Sequence, residues 1–285
     1  MNEKVIRFWD RYPSWEAAEA DWQMRAEGLR AQHPLRELKK LPNLPGIRPK
    51  TRKNLRWKAI KYLAEHDVSG IMRRFFFSKP LRNPLNLLRS MVRKKPYVRD
   101  GDFFFYGFNS EAEFRARLQA NPGLILVVGF SYCHKPFECP SGRFSDQCQH
   151  DPEHPVCGQC FIGKCVHSLP VARTVPAFIP TVHYISEKML ETVTGNPGKE
   201  VLFVITACEL TLEMFADGGN MAGFRGIGVR LDGLICNTMR AFEVSEVGIK
   251  PGLTVVLDET QKRMMELFAL RRHLSQEHPR ASSPD

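Results

Sequence analysis

The stretch Gly123-Leu-Ile-Leu-Val-Val-Gly-Phe130 is a continuous apolar run rich in β-branched residues. Runs of this kind are typical of a strand that is buried on both faces of a parallel sheet. Residues 200–207, 226–231 and 252–257 have the same character. Helical spacing of apolar residues at 176–194 separates the first two runs, and further helices are indicated after positions 207 and 236. The alternation predicts an α/β domain with an open, mostly parallel sheet.

A basic helical region precedes this domain. Apolar and aromatic residues recur at broadly helical spacing in residues 3–32, where Ser14 is a predicted N-cap, and a second helix is predicted at 52–65. Prolines between the two make 41–50 a connector. We therefore expect three parts: a helical, basic region at 1–100, the α/β domain with a cysteine-rich metal-binding insertion at 101–272, and a disordered tail at 273–285.

The positive charge of the chain is concentrated in one segment. The formal net charge is +10, and residues 36–100 hold 19 Lys or Arg against 4 Asp or Glu. The bases of 48–61, interleaved with Trp57, suit the phosphates and bases of RNA. The apolar stretches 75–77 and 85–92, flanked by bases, suit an anionic membrane surface, which we favour over RNA. A solvated basic surface without a partner is the simplest alternative.

The cysteine content indicates the redox environment. There are eight cysteines, no apolar run of 18 or more residues, and no basic start followed by an apolar stretch. Neither a membrane span nor a signal peptide is expected, and disulfide-rich proteins are usually small and secreted. We expect a cytoplasmic protein, or one peripheral to the inner face of the membrane, with reduced cysteines. In a reducing compartment, clustered cysteines are more often metal ligands or redox groups than crosslinks.

Three cysteines follow predicted strands. Cys133 comes after the strand ending at Phe130, Cys208 directly after Ala207, and Cys236 shortly after the strand that ends near position 231. The carboxyl ends of parallel strands lie at one edge of the sheet, where ligands bind. These thiols are therefore expected to meet and to bind a cofactor, although each one alone is equally consistent with a small buried side chain.

The other five cysteines lie in a loop-like segment rich in Pro, Gly, Asp and His: Cys139, Cys148, Cys157, Cys160 and Cys165. The two-residue spacing of Cys157 and Cys160 lets both thiolates reach one metal or one cluster. Gly158 and Gly163 permit the backbone to pass close to that centre. Metal ligation would hold a segment that is too polar to form a core. All eight cysteines are thus candidate ligands, enough for two clusters or for one cluster and a separate site.

The identity of the metal is less specific. A zinc site drawn from these cysteines and His134, His150, His154 or His167 is one alternative, but the paired spacing of usual zinc sites is missing. The ferredoxin spacing is missing as well. A thioredoxin-like redox pair is a further alternative. It needs a strand before the CxxC motif and a helix starting within it, whereas Cys157-Gly-Gln-Cys160 lies in a loop-like stretch. An iron–sulfur cluster, 4Fe-4S in type, assembled from scattered cysteines is the interpretation we prefer.

Three stretches of the chain, in this order, form a recognisable combination: Cys157-Gly-Gln-Cys160-Phe-Ile, Ala207-Cys208-Glu209-Leu210 and Leu231-Asp-Gly-Leu-Ile-Cys236-Asn-Thr238. Together they resemble a family of cysteine-rich prokaryotic proteins, domain of unknown function 116. The similarity covers residues 133–257 and leaves out the basic N-terminal third. The resemblance implies metal binding through these cysteines and implies no particular reaction.

Two functions remain from the sequence. If three cysteines hold a four-iron cluster, its fourth iron is open to a substrate, with Glu209, Asp232 and Asn237 as candidate catalytic groups beside it. The chain would then be an enzyme for elimination, group transfer or reduction on a small or lipid-like substrate. The alternative is an electron-transfer or binding module, with a redox partner and a fully ligated cluster or structural zinc. Glu209 in the first turn of a helix, and Asn237 or Thr238 as a cap, are simpler structural roles.

Overall fold

A computed structural model describes residues 6–37, 46–92 and 96–277 and contains one main sheet of six strands. In spatial order the strands are β1, β2, β6, β5, β3 and β4. Strands β3 to β6 are parallel, whereas β1 and β2 form an antiparallel hairpin at the edge of β6. The bounds are β1 (Val98–Asp100), β2 (Phe103–Tyr106), β3 (Ile125–Ser131), β4 (Thr174–Ile179), β5 (Val201–Ala207) and β6 (Arg225–Arg230). The mixed α/β fold and the mostly parallel sheet are confirmed.

Helices surround the sheet and fill the connections between the parallel strands. They are α1 (Trp15–Gln32), α2 (Pro49–Arg52), α3 (Leu55–Glu65), α4 (Ile71–Ser78), α5 (Arg82–Val92), α6 (Glu111–Ala120), α7 (Phe161–Ser168), α8 (Val182–Thr194), α9 (Glu209–Ala222), α10 (Met239–Ser245) and α11 (Asp258–Glu277). Ser14 caps α1, accepting a hydrogen bond from the Ala17 N–H at 3.2 Å, so the predicted N-cap is confirmed. Among the described residues, none of the helices is both long enough and apolar enough to cross a bilayer.

The alternating side chains of the central strands enter two cores. Leu126, Val128 and Phe130 of β3 face the core that α7 and α11 cover. Val127 faces the opposite core, which contains Phe203 of β5 and residues of α8 and α9. Because both faces are buried, β3 is apolar along its whole length, which is why its sequence signal was strong.

The N-terminal region shares the first of these cores. Phe8, Trp9 and Trp22 are buried there together with residues of β3, and the Phe8 and Trp22 rings meet edge to face at 5.2 Å. At the other end of the chain, α11 continues to Glu277, because Leu274 is buried and Arg272 donates to the Ser168 carbonyl. The predicted disordered tail therefore begins too early, and residues 278–285 lie outside the described residues.

Three further expectations need correction. The run 252–257 forms only β8 (Thr254–Val255), which pairs with β7 (Asp232–Gly233) in a separate two-stranded sheet, because β2 occupies the free edge of β6. Residues 176–179 were expected at the start of a helix but belong to β4 (Thr174–Ile179), an edge strand that tolerates Pro176. The predicted helix at 52–65 is divided by Asn54, whose φ of 60° lies in the left-handed region.

Candidate functional site

The structure brings Cys133, Cys208 and Cys236 together at the carboxyl end of the sheet; we call them the strand-end cysteines. Cys133 lies in the turn after β3, and Cys208 is the N-cap residue of α9, directly after β5. The Cys208 and Cys236 thiols are close enough to shift each other's pKa, the charge of Cys208 raises the pKa of Cys133, and that of Cys133 raises the pKa of Cys236. All three side chains are buried. Since β3 and β5 are adjacent and parallel, their ends place residues 75 positions apart side by side.

A lysine that the sequence did not single out belongs to this group. Lys250 Nζ lies 3.5 Å from Cys236 Sγ. Burial opposes the charge of this ammonium, but Cys133, Cys236 and Cys208 together raise the Lys250 pKa. Within the thiol pair, the interaction of the two sulfurs lowers the pKa of Cys236 and raises that of Cys208, and the Lys250 charge also lowers the pKa of Cys236. A lysine 14 residues from the nearest cysteine carries no sequence signal for this role.

A cavity adjoins the strand-end cysteines at the topological switch point of the sheet. After β3 the chain continues to β4 on one side, and after β5 it continues to β6 on the other. Cys133 and Cys208 line this partly open cavity, whose remaining walls are mainly apolar side chains of the strand ends, α8 and α9. Open α/β sheets bind ligands at such a crevice.

One buried carboxyl lies in the wall of this cavity. Glu246 accepts a hydrogen bond from the Val182 N–H at 2.8 Å. Burial raises the Glu246 pKa to about 8, so the group is largely protonated at neutral pH. A neutral carboxyl can donate a hydrogen bond to an oxygen of a bound molecule.

The other cysteine group lies in the segment between β3 and α7. Cys139, Cys148, Cys157 and Cys160, which we call the loop cysteines, line one small, partly open cavity. The charge of Cys139 raises the pKa of each of the other three thiols, although burial has a larger effect on each. Burial raises the pKa of Cys148 to about 11 and that of Cys160 to about 12. As isolated thiols, Cys148 and Cys160 would therefore be neutral.

Backbone amides point at the sulfurs of the loop cysteines. Cys160 Sγ accepts from the N–H groups of Ile162 and Gly163 in the first turn of α7. Cys148 and Cys157 accept from backbone N–H groups at positions 150 and 151. This close approach depends on glycine: a Cβ at Gly163 would lie 2.5 Å from the Cys157 carbonyl oxygen. The amides favour the thiolate form of each sulfur.

Two cations hold this loop, the buried Lys135 and the half-buried Arg143, and the sequence did not identify either. Lys135 Nζ donates to the carbonyl oxygens of Gly142, Ser145 and Gln147 at 3.3, 2.8 and 2.8 Å. Arg143 donates to four further carbonyl oxygens, including that of Cys133 at 3.2 Å. The polar loop is therefore ordered by hydrogen bonds from Lys135 and Arg143 as well as by its cysteines. In the sequence, the position of Lys135 and Arg143 inside a cysteine-rich stretch was the only indication of this role.

The remaining cysteine differs from both groups. Cys165 is fully buried in the core between α7 and the sheet. Its pKa is raised well above the ordinary value, with burial as the largest cause. Cys165 thus occupies the position of a small apolar side chain, and it lines neither of the cavities described above.

The candidate histidine ligands have hydrogen-bond partners of their own. His150 and His167 use both ring nitrogens: His150 contacts the Cys148 carbonyl and Arg7, and His167 contacts the Phe8 N–H and the His150 carbonyl. His134 bonds to Thr206 at 3.0 Å, and burial lowers its pKa to about 3. His154 Nδ1 accepts from Val156 N–H at 3.2 Å.

The candidate catalytic residues have structural contacts. Glu209 Oε1 pairs with Arg52 at 3.2 Å and with Arg99 at 3.3 Å, in the first turn of α9. Asp232 Oδ1 accepts from the Gly233 N–H at 2.8 Å. The Asn237 carbonyl accepts from Arg48 N–H and Thr51, and Thr238 caps α10. None of Glu209, Asp232 or Asn237 lines the cavity at the switch point.

Within the described residues, no three His, Cys, Asp or Glu side chains are placed to hold a single metal ion. Comparison with protein-family models, with curated proteins and with solved structures finds no match for this chain. The resemblance to domain of unknown function 116 therefore stays a prediction. The two cysteine groups, their cavities and Lys250 are the observations from which a function is argued.

Proposed function

We propose that this chain is an iron–sulfur protein whose loop cysteines hold a fully ligated four-iron cluster. The observation that carries the proposal is the convergence of four cysteine side chains, drawn from 22 residues of chain, on one cavity. Four thiolates are the usual ligand set of such a cluster. Free thiols gain little from one another, so their clustering on one cavity supports a shared ligand.

A four-iron cluster and a single zinc ion require different separations of four cysteine sulfurs. Four sulfurs bound to one zinc ion at 2.3 Å in a tetrahedron are about 3.8 Å apart. A four-iron cluster separates its cysteine sulfurs further, around a cubane core. The described side chains include no set close enough for a single ion, whereas the loop cysteines surround a space. Backbone N–H groups directed at the sulfurs are also among the contacts that set the potential of a cluster.

The strand-end cysteines form the second part of the proposal, a reactive centre. Three thiols leave one iron of a four-iron cluster without a protein ligand, and such an iron polarises a hydroxyl, carboxylate or sulfur of a substrate. Cys133 and Cys208 border the cavity at the switch point, so the open side would face its mainly apolar walls. Lys250 supplies a positive charge beside the thiolates, and Glu246 supplies a hydrogen-bond donor in the cavity wall.

These residues indicate the substrate and its handling. The apolar walls bind the apolar part of a small molecule and exclude water, while Glu246 orients a polar oxygen of the same molecule. We propose elimination, group transfer or reduction at this place. Glu209, Asp232 and Asn237 are left out of the reaction, since their contacts fix local structure.

An electron-transfer module is the second candidate. The loop cysteines alone supply a complete ligand set, and the Lys250 ammonium already offsets charge at the strand-end cysteines without any metal. In that case the chain holds one cluster, and no candidate substrate changes its electron paramagnetic resonance spectrum.

Metal analysis after anaerobic purification tests the proposal. Two clusters give about eight irons and eight acid-labile sulfides for each chain, and the loop cluster alone gives about four of each. Added alcohols, carboxylates and thiols then change the resonance spectrum only if an iron is open to them. Stoichiometric zinc without sulfide would overturn the proposal of iron–sulfur chemistry.

A further inference from the structure

Helix α5 is held in place by one polar face. Ser90 Oγ donates to Asp217 Oδ1 of α9 at 2.6 Å, and Asn83 Nδ2 donates to the Phe75 carbonyl of α4 at 2.8 Å. Both side chains are buried. The orientation of α5 about its own axis is therefore set by these contacts and by its packing against α9.

The opposite face of α5 is apolar and exposed. Leu81, Leu85, Leu88 and Val92 are 87%, 48%, 59% and 85% exposed. Their spacing of four, three and four residues places them in one row, and at about 100° for each residue this row lies about 180° from Ser90. Phe77, near the end of α4, is a further exposed apolar side chain close in sequence to the row, at 64%. An apolar row of this length on the surface marks an interaction site.

The charge around this row has one sign. From Val68 to Arg99 the sequence contains nine Lys or Arg and no Asp or Glu. Arg82 and Arg89 lie along one edge of the row, and Arg73 and Lys79 lie beside Phe77; all four are exposed. None of these four forms an ion pair with a residue that the structure describes. Their charges are available to an external partner.

The neighbouring basic stretch differs in part. Arg52 pairs with Glu209 and Glu213, and Arg56 pairs with Asp217 at 3.0 Å. Trp57 is exposed, whereas Tyr62, a second aromatic side chain of that stretch, is buried against Phe242 and His66. A row of several exposed apolar side chains beside four bases without an ion pair to a described residue thus characterises α4 and α5.

We propose that Phe77, Leu81, Leu85, Leu88 and Val92, with Arg73, Lys79, Arg82 and Arg89, form a docking surface for an anionic lipid bilayer. The helix α5 lies in the plane of the interface, its apolar row enters the boundary between headgroups and acyl chains, and the arginines contact lipid phosphates. The surface is independent of the iron–sulfur proposal, because it shares no residue with either cysteine group.

Vesicle co-sedimentation of the full chain tests this surface, with phosphatidylglycerol-containing vesicles compared with pure phosphatidylcholine vesicles. We expect binding to the anionic vesicles that falls at high salt. The affinity of the Leu85→Glu/Leu88→Glu variant for these vesicles should fall at least about tenfold, because the variant places negative charge in the apolar row. Arg82→Gln/Arg89→Gln should bind about 30-fold more weakly, as expected for the loss of two charges near an anionic surface. Met24→Glu on α1, an equally exposed apolar residue, is the matched control and should bind as the wild type does.

Each variant should keep the wild-type melting temperature. If the double glutamate variant melts at a lower temperature, Leu85→Ser/Leu88→Ser takes its place. Equal binding of the wild type and both leucine variants would overturn the proposal. So would a chain that does not bind vesicles but forms a dimer, measured by light scattering, that the leucine variants dissociate. Retention on RNA in place of vesicles, lost in the arginine variant, would assign the surface to nucleic acid and overturn the lipid proposal as well.

Discussion

The loop cysteines and the strand-end cysteines differ in what they surround. The loop cysteines line one cavity and receive backbone N–H groups, in a segment without a strand or a long helix. Among the strand-end cysteines, Cys133 and Cys208 follow β3 and β5 at the switch point of the sheet, and Cys236 lies beside the charged Lys250. Thiols that share one cavity suit a bound cluster, whereas thiols beside a cation and a mainly apolar crevice suit a reaction. The difference teaches that clustered cysteines in one chain need not share one role.

Loss of a loop cysteine should have the largest effect. Cys160→Ser removes one of four proposed ligands and leaves its N–H donors at α7 without a sulfur acceptor. We expect the iron and sulfide of the loop cluster to be lost, about four of each, with those of the strand-end centre retained. Cys165→Ser is the control and should keep both centres, because Cys165 lines neither cavity. Equal losses from both variants would break the distinction between ligand and core cysteine.

Replacement of Lys135 should destabilise the loop without removing a ligand. Lys135→Met leaves three carbonyl oxygens without their donor in a buried place, and we expect the free energy of unfolding to fall by about 3 kcal/mol. Iron should dissociate faster from the loop centre during chelator treatment, and the strand-end centre should be unaffected. Lys188→Met, at an exposed position of α8, is the matched control. An unchanged unfolding curve for Lys135→Met would contradict the role given to this side chain.

Replacement of Lys250 should affect the strand-end centre alone. Lys250→Met removes a positive charge beside Cys236, which makes reduction of a neighbouring cluster less favourable. We expect its reduction potential to fall by roughly tens of millivolts, while the potential of the loop cluster stays within error. Lys250→Arg should restore most of the shift. Redox titration followed by electron paramagnetic resonance measures the reduction potentials of both centres. A shift confined to the loop cluster would show that Lys250 acts on the loop cluster and not on the strand-end centre.

The smallest effect is expected at Glu209, which the sequence suggested as a catalytic group. Glu209→Gln keeps the shape of the side chain but loses its charge opposite Arg52 and Arg99, and it should cost about 1 kcal/mol of unfolding free energy. Both clusters and any substrate-induced spectral change should remain as in the wild type. If the substrate-induced spectral change were lost while both clusters stayed intact, Glu209 would have to act at the reactive centre.

Part of this arrangement follows from the sequence alone. The continuous apolar runs predicted β3, β5 and β6, because a strand buried on both faces has no polar positions. The position of Cys133 and Cys208 just after two of these runs predicted their meeting, since parallel strands end at one edge of the sheet. The strand β4 was missed because Pro176 and a half-exposed edge weaken the same signal.

The tertiary structure decided how the eight cysteines are divided and what surrounds them. Local spacing could not separate Cys165 from Cys160, because it depends on which face of α7 meets the core. Local spacing could not predict the contacts of Lys250 and Lys135 either. Lys250 reaches Cys236 and Lys135 reaches the Ser145 carbonyl through irregular backbone, which has no sequence period. Sequence period determines which residues a regular strand buries, but the approach of charged side chains across loops depends on the whole fold.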